Sequence, residues 1–261
     1  MDKLIASLRS VRFRGKYRLM SLLGPSDGVR SARVFGYQMD LDLSDWIQRN
    51  MYFGSYEQPQ TSQILSHLSP GMTFVDVGAN VGYYTAMASS IVGGGRVIAY
   101  EPNPWAFDRL NAWIAANQAK NITTVCAALG SREGSMAADF GNSDSDNHTA
   151  SLVTAPVPNG KSEENIIDVR TLDAEAKRMG IRRIDVMKID VDGYETEVFN
   201  GASELLAEGR IGAILCEFSV HWLKEVGSSA DQLERFFTSR GFAQRGVYGT
   251  ELLGDRWYVR P

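Results

Sequence analysis

The stretch Thr73-Phe-Val-Asp-Val-Gly-Ala-Asn-Val-Gly-Tyr-Tyr-Thr85, followed by Val97-Ile-Ala-Tyr-Glu-Pro102, constrains the fold of this chain more than any other feature. Phe74, Val75 and Val77 form a short β-branched and aromatic run that suits a buried parallel strand, and the run stops at Gly78. Gly78 and Gly82 flank a tight strand-to-helix turn. With no Cβ in the way a ligand can lie against the backbone there, and the first amides of the next helix point toward it. Asp76 sits at the strand end, placed to order the loop or to meet a ligand ammonium. The next apolar strand, Arg96 to Tyr100, delivers Glu101 to the same sheet edge, where a carboxylate can accept both hydroxyls of a ribose. Strand, turn, helix, second strand and terminal acid together describe a nucleoside site.

A dinucleotide would prefer G-x-G-x-x-G, which is replaced here by Gly78-x-x-x-Gly82, and its pyrophosphate would be repelled by Asp76. S-adenosylmethionine carries no phosphate and tolerates the acid, so it is the expected cofactor. Length and composition agree with one enzyme-sized unit: 261 residues, 44% hydrophobic and 22% charged, suffice for a substantial core. A formal charge of -4 argues against a general nucleic-acid binder, which needs a basic face. The two cysteines, Cys126 and Cys216, fall in stretches expected to be buried strands and read as reduced core thiols of a cytoplasmic protein. No apolar run reaches membrane-span length, and the start lacks a hydrophobic signal core. Arg9, Arg12, Arg14, Lys16 and Arg18, with Leu4, Ile5, Leu8 and Val11 on one helical face, make a basic amphipathic start. Packing on its own domain or on a sister subunit is the expected use, with peripheral membrane contact as the alternative.

Periodicity divides the chain into an N-terminal extension over 1–70 and a cofactor-binding domain over 71–261. The extension reads as the basic helix, a hairpin over 32–43, a helix and turn over 46–56, and a helix over 60–68 closed by Pro70-Gly71. Strands over 73–77, 96–100 and 122–128 then alternate with helices over 82–92 and 104–117, the second begun by the cap Asn103 and Pro104. Residues 139–165 are polar, turn-rich and long for a connection, as in a lid or specificity loop. Order resumes over 166–169, and Thr171 or Asp173 caps a helix ending at Gly180. A strand over 184–190, a helix over 194–207, a strand over 211–218 and a helix over 231–240 follow. Two strands over 242–247 and 257–260, joined by a turn at Gly254-Asp255, close the pattern. The expected fold is α/β, Rossmann-like: a mostly parallel seven-stranded sheet with an antiparallel C-terminal hairpin and helices on both faces.

The second chemical cluster is Ile184-Asp-Val-Met-Lys-Ile-Asp-Val-Asp-Gly-Tyr-Glu195. Strand period places Lys188, Asp190 and Asp192 on one face at the carboxyl end of a central strand, where open α/β sheets put ligand crevices. Unpaired buried charge is costly, so Lys188 is expected to pair with one of the acids. Glu217 ends the next strand and His221 follows. Asp190, Glu217 and His221 are the candidate bases, Asp190 and His221 foremost, since an imidazole titrates in the useful range. His148 in the long loop is an outside candidate. Asp190, Asp192, Glu217 and His221 also resemble an oxygen-rich magnesium site, but nothing in the spacing requires an ion and no metal is assigned.

Here the chain resembles the FkbM-like methyltransferases, a class I S-adenosylmethionine-dependent family. The matching stretches are Gly54-Ser-Tyr-Glu57, Val75-Asp-Val-Gly-Ala-Asn-Val-Gly82, Tyr100-Glu-Pro102, Lys188-Ile-Asp-Val-Asp-Gly-Tyr-Glu195 and Val198-Phe-Asn-Gly-Ala202. Asp192 stands where the family more often has glutamate. The resemblance implies methyl transfer to oxygen, on a sugar or a secondary metabolite. It implies that Glu57, Asp76, Gly78, Asn80, Gly82 and Asn103 serve the cofactor, that Glu101 holds the ribose, and that Ala127 and Ala128 border the adenine. Asp190 would face the reacting methyl, with Lys188, Asp192, Glu195 and His148 on the substrate side. The expected acceptor is a sugar hydroxyl in a glycan or glycosylated metabolite, with a lipid or polyketide hydroxyl as alternative. A nicotinamide-dependent oxidoreductase or epimerase and a non-catalytic nucleoside-binding partner are the rival classes. A homodimer built partly by the N-terminal segment is the expected assembly.

Overall fold

The computed structural model of the protein describes residues 24–140, 151–152 and 166–261. The basic start and His148 lie outside the described residues. The first described elements are a hairpin, β1 (Val29–Val34) and β2 (Tyr37–Asp42), and two short helices, α1 (Trp46–Phe53) and α2 (Gln58–Leu65). Asp45 caps α1 by accepting from the Gln48 amide, and Gly54 ends it in the left-handed conformation. Alternation then begins: β3 (Thr73–Val77), α3 (Tyr83–Val92), β4 (Arg96–Tyr100), α4 (Pro104–Ala116) and β5 (Ile122–Val125).

A small second sheet interrupts it, made of β6 (Ala128–Leu129), β7 (Gly134–Asp139), β8 (Ser151–Leu152) and β9 (Ile166–Arg170) in the order β6-β9-β7-β8. After α5 (Leu172–Met179) come β10 (Ile184–Ile189), α6 (Glu195–Asn200), α7 (Ser203–Ala207) and β11 (Ile211–Ser219). The last elements are α8 (Val220–Glu225), α9 (Ala230–Ser239), β12 (Ala243–Gly249) and β13 (Leu253–Val259). The main sheet has the order β12-β13-β11-β10-β3-β4-β5. Its members β3, β4, β5, β10 and β11 pair in parallel, whereas β13 runs antiparallel to both β11 and β12. From β3 the chain winds first toward β5 and later, from β10, the other way. The switch point between β3 and β10 is therefore where a crevice opens.

Strand period two divides the core. Phe74, Val186, Leu215 and Trp257 face one side, packed with Met39, Leu41, Phe53 and Ile64 from the preceding hairpin and helices. Val75, Val77, Met187, Ile214 and Tyr258 face the other, under Phe199, Leu205 and Phe237. Central strands buried on both faces explain their nearly continuous apolar runs. Among the described residues no helix is long and apolar enough to cross a membrane.

Four expectations need correction. The strand over 122–128 ends at Val125, because the Ala127 amide turns back to the Val125 carbonyl and the chain leaves for the second sheet; Cys126 is consequently exposed, whereas Cys216 is buried as expected. The loop over 139–165 contains the short strand β8, whose Ser151 pairs with Asp139 at the end of β7; residues 141–150 and 153–165 lie outside the described residues. The helix over 194–207 is two helices, broken at Gly201-Ala202, where a Cβ on Gly201 would stand 2.0 Å from the Gly130 carbonyl oxygen. Finally, Gly254 and Asp255 lie within β13, not in its turn. Gly254 is needed because a Cβ there would stand 2.1 Å from the Tyr248 carbonyl oxygen of β12.

Candidate functional site

The ends of β3, β4 and β10 are knitted by backbone hydrogen bonds. The amides of Gly78 and Ala79 both donate to the Tyr100 carbonyl at 3.0 Å, and the Asp190 amide donates to the Val77 carbonyl at 3.1 Å. Gly78 has φ +77°, and a Cβ there would lie 1.9 Å from the Asp190 carbonyl oxygen. At Gly82 a Cβ would lie 2.5 Å from Leu110 Cδ1. Both glycines thus allow protein to pack on protein: Gly78 brings two loops together, and Gly82 seats the start of α3 on α4. The cleft they frame has about 900 Å³ of open space, its mouth included. Tyr56, Tyr84, Tyr100, Ala127, Ala128 and Leu129 supply apolar wall, and Glu101, Lys188, Asp190 and Asp192 its charge.

Glu101 ends β4 and is buried, its two oxygens accepting from the Asn80 amide at 2.7 Å and the Asn103 amide at 2.8 Å. Burial pushes its pKa up to about 7 against those two bonds. Asn103, which caps α4 through the Trp105 amide, therefore acts on the cleft by way of Glu101, whereas Asn80, at φ +50°, also lines the cleft itself. Asp76 is buried behind the wall and accepts from the Thr85 hydroxyl at 2.6 Å, which ties the end of β3 to α3 across the loop between them; its Oδ1 is buried without a partner. Burial raises its pKa, with Lys188 opposing.

One face of the sheet carries a row of charge. Asp76 of β3 is the register partner of Lys188 in β10, and farther along Glu217 of β11 is the partner of Asp255 in β13. Lys188 is 3% exposed and pairs with Asp190 at 2.7 Å, as expected. Burial pulls its pKa down, but Asp190, Glu57 and Asp76 outweigh that and hold the ammonium above its ordinary value. Glu57, half-buried at φ +36°, accepts from the Tyr84 hydroxyl; burial raises it against Lys188. Asp190, Asp192 and Glu217 bring carboxylate oxygens within 4.8 Å of one another. Burial, then Asp190, raises Asp192 to about 7 and Glu217 well above the carboxylate range.

Other expected site residues stand elsewhere. Glu195 is 1% exposed, and its Oε1 accepts from the amides of Val191 and Gly193, so it fastens the loop after β10 and does not line the cleft. His221 is exposed on α8, its ring 4.7 Å from that of Trp222, and it is absent from both the cleft wall and the carboxylate group. Asp255 was missed. It is 8% exposed, accepts from Gln60 Nε2 at 2.8 Å, and is raised to about 7 by burial and then by Glu57. The alternation Leu253, Asp255, Trp257 was the available signal, since it puts the acid on the face of a buried tryptophan. Tyr84 was missed as well, although it stands inside the first motif.

These residues fit S-adenosylmethionine. The wall offers apolar surface for a base and a buried carboxylate for ribose, and with that carboxylate it sets three acids against one lysine that is already paired, which suits a cationic nucleoside without phosphate. A family model described as the methyltransferase FkbM domain matches residues 76–243. The methyltransferase sdnD of Sordaria araneosa is 26% identical over 165 residues, covering 54% of this chain and 64% of that protein, less than two thirds of its length. Similar solved structures include a precorrin-6y C5,15-methyltransferase from Geobacter metallireducens GS-15, 16% identical with a TM-score of 0.45, covering 78% of this chain and 89% of that one. Aeropyrum pernix fibrillarin with natively bound S-adenosyl-L-methionine is 14% identical with a TM-score of 0.47, covering 90% of this chain and 84% of that one. With the family match running through the glycine turn, Glu101 and the carboxylate wall, the chain belongs to the FkbM family of S-adenosylmethionine-dependent methyltransferases.

Proposed function

We propose that the protein methylates a hydroxyl oxygen of a sugar, in a glycan or a glycosylated metabolite. The observation that supports this reading is the carboxylate group of Asp190, Asp192 and Glu217 beside the paired Lys188, of which Asp190 and Asp192 line the cleft and Glu217 stands behind them. A sugar offers several neutral O–H donors to such a wall, and one of them must lose its proton as its oxygen gains the methyl group. Bound S-adenosylmethionine supplies a methyl carbon on a positively charged sulfur, which is already an activated leaving group. In this reading Glu101 holds the ribose, Ala127 and Ala128 border the base, and Asp190, fixed by Lys188, borders the reacting centre. Asp192 orients the acceptor hydroxyls. The proton goes to the acidic group that contains Glu217, because Asp190 is held by its lysine and His221 is turned to solvent.

One observation favours a second reading, an aliphatic hydroxyl of a lipid or polyketide. Val220, Leu252 and Leu253 are exposed, and Leu253 shares the face of Asp255 at the tip of β13. Incubating the protein with labelled S-adenosylmethionine and matched panels of glycosides and long-chain alcohols, followed by mass spectrometry, separates the two. Methyl ethers on glycosides support the first reading. Label only on the alcohols selects the second, and label on nitrogen overturns both.

A further inference from the structure

We infer that Asp255 is a positioning residue for proton removal: facing Glu217 across the β11–β13 ladder, it forms with it a pair that holds one proton at rest and receives the acceptor's proton as a second. The inference rests on the O-methylation reading for its role in turnover and on geometry for the pair itself. Directly opposed residues of an antiparallel ladder stand about 5 Å apart at Cβ, and like charges so placed repel. Glu217 and Asp255 are such partners, both largely withdrawn from water. Arg256 cannot relieve them: it points to the other face, where it bonds Glu234 at 2.7 Å and lies 4.1 Å over the Phe218 ring.

The groups around the pair do not supply the missing positive charge. Glu57, Gln60 and Tyr56 approach from α2 and the turn before it, Tyr84 from α3, Glu195 from α6, Tyr248 from β12, Cys216 from β11, and Asp190 and Asp192 from the end of β10. Lys188 is the one cation bearing on them among the described residues, and it is bonded to Asp190. Two carboxylates in that setting keep a shared proton, and the pair titrates as a unit. Burial, then Asp190, holds Glu217 far above the carboxylate range, with Asp255 adding to the rise, and burial, then Glu57, brings Asp255 to about 7. The singly protonated pair is thus the resting base. In the reaction the acceptor's O–H bond breaks, its electron pair stays on oxygen to form the O–CH₃ bond, the S–CH₃ pair departs with sulfur, and the proton joins the pair.

Asp255→Asn keeps an acceptor for Gln60 and removes the ionisable partner. With Asp255 gone, Glu217 alone retains its proton near neutrality. The acid limb of kcat/KM should therefore move to higher pH by about one unit or more, with kcat reduced at neutral pH and partly restored in alkali. A purely structural role would leave the limb in place, as would any role outside proton removal. Two measurements on the cofactor-free chain test the pair without turnover. Infrared titration of the unsubstituted protein should show a protonated carboxyl persisting above about pH 8 that Glu217→Gln removes. A double-mutant cycle of Asp255→Asn and Glu217→Gln, by denaturant unfolding, should show repulsive coupling that grows between about pH 6.5 and about pH 9.5. No such band and no coupling would overturn the pair whatever the acceptor is. Coupling with an unmoved limb would overturn its part in proton removal, and coupling with no O-methylated product would overturn the sugar reading alone.

Discussion

Glu101 shows how one side chain couples backbone to ligand. Its oxygens already accept two loop amides, so the carboxylate that meets the ribose also holds Asn80 and Asn103 in place. Glu101→Ala should weaken S-adenosylmethionine about tenfold to hundredfold by calorimetry, because it removes the ligand contact and leaves two buried amides unmatched. Retained affinity would place the ribose elsewhere. At Gly78 the obstacle is the chain itself: Gly78→Ala sets a methyl 1.9 Å from a backbone carbonyl at φ +77°. A loss of at least about 2 kcal/mol in unfolding free energy should follow, with cofactor affinity falling alongside it. Both residues were legible in the sequence, yet the reason for Gly78 was not. The turn pattern announces a glycine but not whether ligand or protein occupies the space.

Among elements, those carried by local pattern were read correctly and those fixed by distant contacts were not. Strands β3, β4 and β10 and helices α3 and α4 have continuous apolar runs or caps and could be bounded to within a residue or so. The break between α6 and α7 depends on Gly130, far away in sequence, and in the second sheet β6 and β8 are too short to show a period, whereas β9 was legible over 166–169. Asp173 belongs to this class. It reads as a possible cap for α5, which Thr171 caps instead, while its own oxygens accept from the Glu204 and Leu205 amides at the start of α7. Asp173→Ala should cost about 1 kcal/mol of stability and leave cofactor affinity unaltered, because it acts on helix ends remote from the cleft. A change in affinity without one in stability would contradict that division. The same limit hid Asp255: its place is set by a ladder to β11, and its one local sign, the alternation with Trp257, is offset by the glycine beside it.

The molecule as a whole carries a store of neutral carboxyl groups. Glu101, Asp192, Glu195 and Asp255 are each raised to about 7, burial leading in every case. A carboxyl with a raised native pKa stabilises the fold fully below its unfolded pKa, near 4, and that contribution is lost as pH rises through the native value. The denaturation midpoint of the cofactor-free protein should therefore fall between about pH 5.5 and about pH 8.5, the reverse of ordinary acid lability. S-adenosylmethionine, a cation in that cleft, should reduce the loss. A midpoint that is flat or rises over the interval would show that these acids are solvated or paired.

The placement of β13 also bears on how the molecule is made. It lies between β11 and β12 although it follows both along the chain. The sheet consequently cannot grow outward in the order of synthesis. While the ribosome is still extending the chain, β11 presents an open edge and β12 has no neighbour, and only the arrival of β13 seals the seam and buries Trp257. Until then the sheet keeps an open strand edge and lacks one carboxylate of its acidic row.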